Sequence, residues 1–256
     1  KTEIVNFGLP QGSILGPFLF LIYIKDLNHS IPNSIVHLFA DDTNLLLSSK
    51  SLKNSTLRVN HNLTCLCEWL RCNYLSLNVD KTELVIFKPR KTELNFKYKF
   101  KIDGHKITPT STIKYLGIFI DEELTWKPQI SILKGKLNWA IGVLAKLRYY
   151  TPLSFLKVAY HSLFGSHLHY GCQLWGLSSN DNINTIQKLQ NRAIRKITYT
   201  NIRERVDPVF EELNILKFND LIHLQKCLLM HKFETNSLPN AFHDFSTLVE
   251  NVHHHN

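Results

Sequence analysis

The sequence has few of the features that mark a secreted or membrane protein. Its five cysteines form neither a disulfide ladder nor a repeated Cys-x-x-Cys pair, which indicates free thiols in a reducing, intracellular compartment, either nuclear or cytoplasmic. The most apolar run, Ile14 to Ile24, is broken by Gly16-Pro17 and is shorter than the roughly 20 residues that cross a bilayer. With no signal peptide visible either, we expect no membrane partner.

Acidic residues are also scarce. The chain has 21 Asp and Glu against 30 Lys and Arg, a formal net charge of +9, and a polyanionic partner is the simplest reason for such an excess. Its 256 residues suffice for one large domain or two modest ones. The chain starts at Lys1 without a methionine and enters patterned sequence at once, as we expect of a fragment or a processed product.

Hydrophobic periodicity predicts an α+β fold whose texture changes near Asp121. The earlier part mixes short strands with helices, and the later part has longer helical patterns. The clearest is at 182–198, where an apolar stripe is formed by Ile183, Ile186, Leu189, Ala193 and Ile197. We therefore predict domains at 1–120 and 121–256. The helices predicted in the first domain are a buried one at 14–27, which starts near Ser13 or Pro17, and one at 51–72 with an apolar face of Leu52, Val59, Leu63, Leu66 and Leu70. The predicted strands are a hairpin of 35–39 and 44–47, two strands at 75–78 and 84–87 around a polar turn at 80–82, a strand at 96–102 in which apolar residues alternate with lysines, and a strand pair at 112–120.

Asp41 and Asp42 form the tip of the predicted hairpin. An Asp-Asp pair in a solvated turn is common, and that interpretation stays open. The apolar flanks instead favour a fixed acidic point, which suits a hard divalent cation such as Mg²⁺. Because neighbouring side chains of a strand point to opposite faces, we expect Asp41 to be the main ligand. Two-metal chemistry needs a further carboxylate. Glu3 and Asp26 are poorly placed for it, so we expect it upstream of Lys1.

Four short motifs follow one another along the chain: Gly8 to Pro17 (GLPQGSILGP), Phe39 to Asp42 (FADD), Leu77 to Thr82 (LNVDKT) and Lys114 to Ile118 (KYLGI). In this order they resemble the reverse transcriptases of non-LTR (LINE-like, jockey-type) retrotransposons. Weaker similarity continues through Trp126-Lys127-Pro128, Tyr170-Gly171, Leu174 to Gly176 and Gln190 to Ala193.

The resemblance implies part of a right-hand polymerase: a partial palm over 1–120, with an antiparallel sheet and packed helices, then a mostly helical thumb or connector over 121–256. The implied function is RNA-directed DNA polymerisation with Mg²⁺ or Mn²⁺. Its partners would be an RNA template, a DNA primer and a dNTP, and the motifs specify no oligomeric state. Because the family's fingers and first metal-binding aspartate precede the Gly8 loop, we expect the isolated chain to be inactive.

The resemblance also assigns roles to individual residues. Lys81 could instead be a solvated lysine, Tyr115 and Leu116 could be packing residues, and Pro10 could only shape its turn. The implied roles are metal ligation and catalysis by Asp41 and Asp42; contact with the triphosphate by Lys81; nucleotide and template binding by Pro10, Gln11, Gly12 and Ser13; and the primer grip by Tyr115, Leu116 and Gly117.

Two basic surfaces could follow a nucleic-acid backbone. One is a strand face with Lys97, Lys99 and Lys101, and the other is a helix face with Lys188, Arg192, Arg195 and Lys196. Both could also be the solvated faces of amphipathic elements. His167, His169 and Cys172 lie close together in sequence, but the nearby aromatics favour a packed core over a zinc site.

A non-catalytic nucleic-acid-binding protein derived from a retroelement is the alternative function. An RNA-templated RNA polymerase or a telomerase-type enzyme would share the palm but fits the motifs less well.

Overall fold

The computed structural model describes residues 12–49, 51–89, 99–201, 203–239 and 242. Helices and small antiparallel sheets alternate along these ranges, which confirms the α+β class. The chain forms two compact units, Lys1–Ser111 and Thr112–Asn256. The division lies nine residues before the predicted boundary at 120/121, so the strand pair at 112–121 falls in the second unit. In the described ranges, none of the helices has the length and apolar character that crossing a membrane requires.

The first unit contains two antiparallel hairpins and one long helix. Strand β1 pairs with β2, and β3 pairs with β4. The predicted hairpin at 35–47 and helix at 51–72 are confirmed. The elements, in order, are α1 (Leu15–Ile24), α2 (Leu27–Ser30), β1 (Ile35–Phe39), β2 (Asp42–Leu46), α3 (Leu52–Cys72), a 3-10 turn (Val79–Lys81), β3 (Phe100–Ile102) and β4 (His105–Ile107).

The core of the first unit forms between α3 and the β3–β4 hairpin. Leu63 and Leu66 of the predicted apolar face are buried, together with Phe100 and Ile102 of β3. Asn60 on α3 joins the two elements, because its amide donates to the Lys99 carbonyl at 3.0 Å and accepts the Lys101 N–H at 2.9 Å. The predicted alternation of apolar and cationic residues is confirmed over 100–102, and residues 90–98 lie outside the described ranges.

The prediction of a buried helix at 14–27 is wrong about burial. The helix forms, but Ile24 is its only buried residue. Leu15, Phe18 and Ile22 are exposed, as are most of their neighbours. A helix with apolar residues on every side is stable in water only when other parts of a protein pack against all of its sides. The described residues cover the end near Ile24 and leave the remainder open.

The strands predicted at 75–78 and 84–87 are also wrong, because neither segment has a strand assignment in the structure. Both segments lie between α3 and β3 in the chain. The Leu84 carbonyl accepts one backbone hydrogen bond, from Thr110 at 2.8 Å. A short apolar run fits a strand, but a strand exists only where a partner completes the ladder.

The second unit is one hairpin followed by packed helices. A five-residue π-helical turn, His161–Gly165, continues α5 into α6. The predicted helix at 182–198 is confirmed as α8. The elements are β5 (Thr112–Tyr115), β6 (Ile118–Asp121), α4 (Lys127–Leu147), α5 (Leu153–Tyr160), α6 (Ser166–His169), α7 (Cys172–Trp175), α8 (Asn180–Thr198), α9 (Asp207–Glu212) and α10 (Phe218–Glu234).

A single hydrophobic core holds these helices together. The predicted stripe of α8 is confirmed: Ile186, Ala193 and Ile197 are buried, and Ile183 and Leu189 pack against them in part. Helix α4 contributes its opposing face to the same core. The Trp175 ring stacks on Phe218 with centroids 5.3 Å apart, and its indole N–H donates to the Tyr170 carbonyl at 2.9 Å. The aromatic core expected around residues 168–175 is therefore present at Trp175.

One buried polar side chain, Gln190, links three parts of this core. Its amide nitrogen donates to the Tyr160 hydroxyl and to the Leu216 carbonyl, each at 2.9 Å. Its amide oxygen accepts the Phe218 N–H, the first of α10, at 2.7 Å. Burial raises the pKa of Tyr160 to about 12, and the hydrogen bond from Gln190 offsets part of that increase. The glutamine therefore fixes α8 against α5 and the start of α10.

Asp121 connects the β5–β6 hairpin to α4. Its carboxylate accepts the N–H and hydroxyl of Thr125 at 2.8 and 2.9 Å, and the Trp126 N–H at 2.8 Å. Burial acts to raise the pKa of Asp121, but these hydrogen bonds outweigh burial and hold the pKa below its usual value. The side chain thus satisfies backbone groups at the entry to α4.

Replacing Gln190 with leucine should lower the free energy of unfolding by about 2–4 kcal/mol, because Tyr160, Leu216 and Phe218 would each lose a buried hydrogen-bond partner. Urea denaturation followed by circular dichroism measures the change. Gln173→Leu is the matched control, because the exposed Gln173 amide bonds only to Gln225 in the structure. It should change stability by less than about 0.5 kcal/mol. Equal effects of the two substitutions would contradict the role given to Gln190.

Candidate metal and nucleotide site

The Asp41-Asp42 pair lies at the tip of the β1–β2 hairpin. Phe39 is paired with Asp42, so Ala40 and Asp41 form a two-residue turn. Ala40 has a φ of +51°, a left-handed conformation that a residue with a Cβ seldom adopts. Such a turn costs on the order of 1 kcal/mol and is kept only where the flanking strands fix it. The paired strands therefore determine where both carboxylates point.

Both carboxylates are open to solvent. In the described part of the chain, no Lys, Arg or His nitrogen lies within ion-pair distance of either one. The hairpin is only half-buried: Val36 and Leu38 face the core, whereas Phe39 is exposed. The apolar flanks predict a buried strand pair, and that prediction is wrong about the extent of burial, although the aspartates do emerge from a structured hairpin. Their mutual repulsion is left for solvent or a bound cation to offset.

Arg58 on α3 anchors the open end of this hairpin. Its guanidinium donates to the Asn33 carbonyl, just before β1, at 2.7 Å, and to the Ser48 carbonyl, just after β2, at 3.1 Å. One side chain thus holds both chain ends of the hairpin against the longest helix of the unit. The sequence carries no sign of this role, because its partners are backbone carbonyls that any residue could supply.

The loop that precedes α1 is described from Gly12 onward, and Pro10 and Gln11 lie outside the described residues. Gly12 has a φ of +87°, and a Cβ built on it would meet no atom within 4 Å. Ser13 accepts the Gly16 N–H at 2.9 Å and so caps the start of α1. The predicted helix start near Ser13 is confirmed. Gly12 presents an open backbone, which a ligand can approach closely.

Lys81 ends the 3-10 turn that replaces the predicted polar turn. Asn78 stabilises this turn, because its side-chain oxygen accepts the Lys81 N–H at 3.2 Å and its carbonyl accepts the Thr82 hydroxyl at 2.9 Å. The lysine side chain itself is exposed. An open cleft of about 420 Å³ adjoins the turn and is lined by Ser76, Leu77, Asn78, Val79, Asp80 and His105.

Tyr115, Leu116 and Gly117 form the turn of the β5–β6 hairpin, in the second unit. Tyr115 pairs with Ile118, and both turn residues have positive φ, +45° for Leu116 and +81° for Gly117. This pattern is typical of a type I′ turn, which favours glycine at the second position. The Tyr170 hydroxyl donates to the Leu116 carbonyl and so stabilises the turn. The predicted hairpin is confirmed, and its role as a primer grip stays a prediction.

The predicted basic helix face divides into two parts. Lys188 and Arg192, one turn apart on α8, are exposed. Arg195 and Lys196 are half-buried, and Arg195 donates to the Glu204 carbonyl at 3.1 Å. On the other predicted surface, Lys99 and Lys101 are exposed and Lys97 lies outside the described residues. Lys188 and Arg192 are thus the members of the helix face most available to a phosphate.

No group of three or more His, Cys, Asp or Glu side chains in the described ranges is arranged to hold a metal ion. Cys172 is buried, and burial raises the pKa of its thiol. His167 has a pKa below its usual value, because it is partly buried and lies near Lys136. Asp41 and Asp42 are therefore a two-carboxylate site, which fits a divalent cation by its oxygen chemistry and lacks a third described ligand.

Comparison with known proteins places these motifs in one family. The family described as reverse transcriptase (RNA-dependent DNA polymerase) matches residues 2–120. Among similar proteins of Drosophila melanogaster, the probable RNA-directed DNA polymerase from transposon BS is 29% identical over 83% of this chain and 24% of its own length. The RNA-directed DNA polymerase from mobile element jockey is 26% identical over 91% of this chain and 26% of its own length.

A third relative, the Pol polyprotein from the type-1 retrotransposable element R1 of Bradysia coprophila, is 24% identical over 77% of this chain and 20% of its own length. No solved structure matches the chain. The chain spans about a quarter of the length of the first two relatives. The family match and the named relatives confirm the resemblance drawn from the four motifs. Residues 2–120 match the reverse transcriptase family, and similarity to RNA-directed DNA polymerases of mobile elements extends over most of the chain.

Proposed function

We propose that this chain forms part of an RNA-directed DNA polymerase and that its first unit is part of the palm, with the second unit as thumb or connector. The observation that carries the proposal is the Asp41-Asp42 tip: two adjacent carboxylates, both exposed, fixed by paired strands and without a cationic partner among the described residues. Such a tip is suited to Mg²⁺ or Mn²⁺. The substrates would be an RNA template, a DNA primer and a dNTP.

The proposed reaction joins the primer 3′-oxygen to the α-phosphorus of the dNTP and releases pyrophosphate. When bound, the divalent cations supply a lowered pKa for the attacking hydroxyl and charge stabilisation for the leaving group. Asp41 and Asp42 would hold the divalent cations next to the reacting phosphate. Lys81 would neutralise the triphosphate or donate a proton to the departing pyrophosphate. Gly12 and Ser13, with Pro10 and Gln11, would contact template and nucleotide, while Tyr115, Leu116 and Gly117 would grip the primer.

Non-catalytic nucleic-acid binding is the second candidate function. It is favoured by the two-carboxylate site, which lacks a third described ligand, together with the net charge of +9. The exposed Lys188 and Arg192 would then serve the binding function alone. The two candidates differ in whether the hairpin tip binds a divalent cation.

Asp41→Asn should weaken Mn²⁺ binding by about tenfold, because loss of one carboxylate charge removes on the order of 1–2 kcal/mol of attraction for a divalent ion. Electron paramagnetic resonance of free Mn²⁺ measures the affinity. Asp42→Asn should have a smaller effect, and Asp26→Asn, which changes an exposed carboxylate of the same unit, should have none. If Asp41→Asn and Asp26→Asn behave alike, the hairpin tip is not the metal site.

Arg58→Met should loosen the hairpin and lower its local stability by about 1–2 kcal/mol, because two hydrogen bonds from a charged donor are lost. Faster hydrogen exchange of the β1 and β2 amides reports this effect. Arg71→Met on the same helix is the control, since Arg71 forms an exposed ion pair with Asp103 that should contribute little. Unchanged protection of the hairpin in Arg58→Met would remove Arg58 from the proposed positioning role.

The chain alone should show no primer extension with Mg²⁺ or Mn²⁺ on an RNA template, because two carboxylates hold the catalytic cations too weakly. A gel assay with labelled primer and all four dNTPs tests this expectation. The Asp41→Asn variant, purified in parallel, identifies any contaminating polymerase. Robust incorporation by the wild-type chain that Asp41→Asn abolishes would show that the site is complete as it stands.

A further inference from the structure

The exposed face of α4 carries a tryptophan whose exposure the fold does not explain. Leu133, Leu137 and Leu144 turn toward the core on the opposite side of the helix. Trp139 is 62% exposed instead. The exposed indole offers a flat ring face on which an aromatic base can stack.

Two glycines flank Trp139 on this face, Gly135 one turn before it and Gly142 one turn after. Neither has a positive φ, and a Cβ built on either would meet no atom within 4 Å. Glycine is therefore required neither by the backbone nor by a close neighbour at these positions. Each costs the helix about 1 kcal/mol relative to alanine. What the glycines do provide is open space on both sides of the indole.

The surroundings of Trp139 are cationic. From Leu124 to Asn180 the sequence contains no Asp or Glu, whereas it contains six Lys or Arg. Lys136 lies one turn from Trp139, and Lys146 lies two turns along the same face, about 10 Å away along the helix axis. Both lysines are exposed. An indole between two lysines is complementary to a nucleic-acid strand, in which flat bases alternate with negatively charged phosphates.

We propose that this face of α4, the tryptophan face (Gly135, Lys136, Trp139, Gly142 and Lys146), binds single-stranded nucleic acid. An unpaired base stacks on the Trp139 ring, and Lys136 and Lys146 contact the phosphates on either side. Tyr150, which follows the end of α4, is 86% exposed and adds a second aromatic side chain beyond Lys146. The proposal rests on the proposed nucleic-acid partner but not on Asp41 or Asp42.

Charge and composition favour this ligand over the other occupants of such a face. A symmetric contact with a second copy would bring the lysines of the two faces close together, and their like charges would repel. A membrane-surface helix needs a broad apolar face, whereas the positions one turn from Trp139 hold Gly135, Gly142, Lys136 and the half-buried Val143. A duplex has no unpaired base to offer the ring, so a single strand is the fitting partner.

Fluorescence anisotropy of a short labelled oligouridylate tests the proposal on the full chain, in EDTA and at low salt. Trp139→Ala should weaken binding by about tenfold, whereas Trp139→Phe should stay within about threefold because the ring still stacks. Gly142→Gln should also weaken binding by about tenfold by blocking the ring, while its thermal midpoint holds or rises because glutamine is the better helix former. Tyr74→Ala, which removes a 97% exposed aromatic from the first unit, should leave binding unchanged.

Intrinsic fluorescence provides a second readout. Trp175 and Trp69 are buried and Trp126 is half-buried, so an unlabelled single strand should quench mainly Trp139. Trp139→Phe should therefore keep its affinity but lose most of the quenching. An oligodeoxythymidylate in place of the RNA shows whether the sugar matters to the site.

The proposal is overturned if Trp139→Ala binds the single strand within about twofold of wild type, or if the wild-type chain does not bind it. It is overturned as well if a matched duplex shows the same dependence on Trp139, or if Trp139→Ala alters only self-association or binding to anionic vesicles. Asp26→Asn, which changes an exposed carboxylate of the first unit, should bind normally in the same assay, which EDTA keeps free of metal. A failure of Mn²⁺ binding at Asp41 therefore refutes the polymerase proposal alone.

Discussion

The register of the β1–β2 hairpin is the constraint on which the candidate site depends. Because Phe39 pairs with Asp42, only Ala40 and Asp41 remain to reverse the chain, and Ala40 must take a left-handed conformation. A one-residue slip would exchange the two faces of each strand, turning Val36 and Leu38 outward and changing the direction of both carboxylates. Arg58 opposes such a slip, since its two hydrogen bonds span the open end of the hairpin.

The two units differ in where their charge lies. In the first unit, two acidic side chains at a hairpin tip stand without a described basic partner, an arrangement that favours small cations. In the second, a stretch of more than fifty residues is free of acidic side chains and carries exposed lysines on α4. Cations and polyanions would thus be attracted to different units of the same chain.

The sequence predicted those parts of the fold whose signal is periodic and local. Helices α3 and α8 followed from one apolar face each, and both hairpins around Asp41 and Gly117 followed from short apolar runs separated by turn residues. Residues whose role depends on distant partners carried no such signal. Gln190 belongs to one of the weaker family motifs, and its local pattern does not indicate that it forms several buried hydrogen bonds. The local pattern around Arg58 does not indicate its contact with the hairpin either. The strand predicted at 84–87 is absent because a strand needs a neighbouring strand to pair with, and a local apolar pattern does not show whether one is present.

Helix α1 has a practical consequence for the behaviour of this chain in water. Its exposed leucines, isoleucines and phenylalanine form an apolar surface next to the Gly12 loop. The hydrophobic effect favours association of such surfaces in water. Aggregation and ligand access are therefore linked. A detergent, a chaperone or another polypeptide that covers α1 will lie next to the loop that we propose binds the incoming nucleotide.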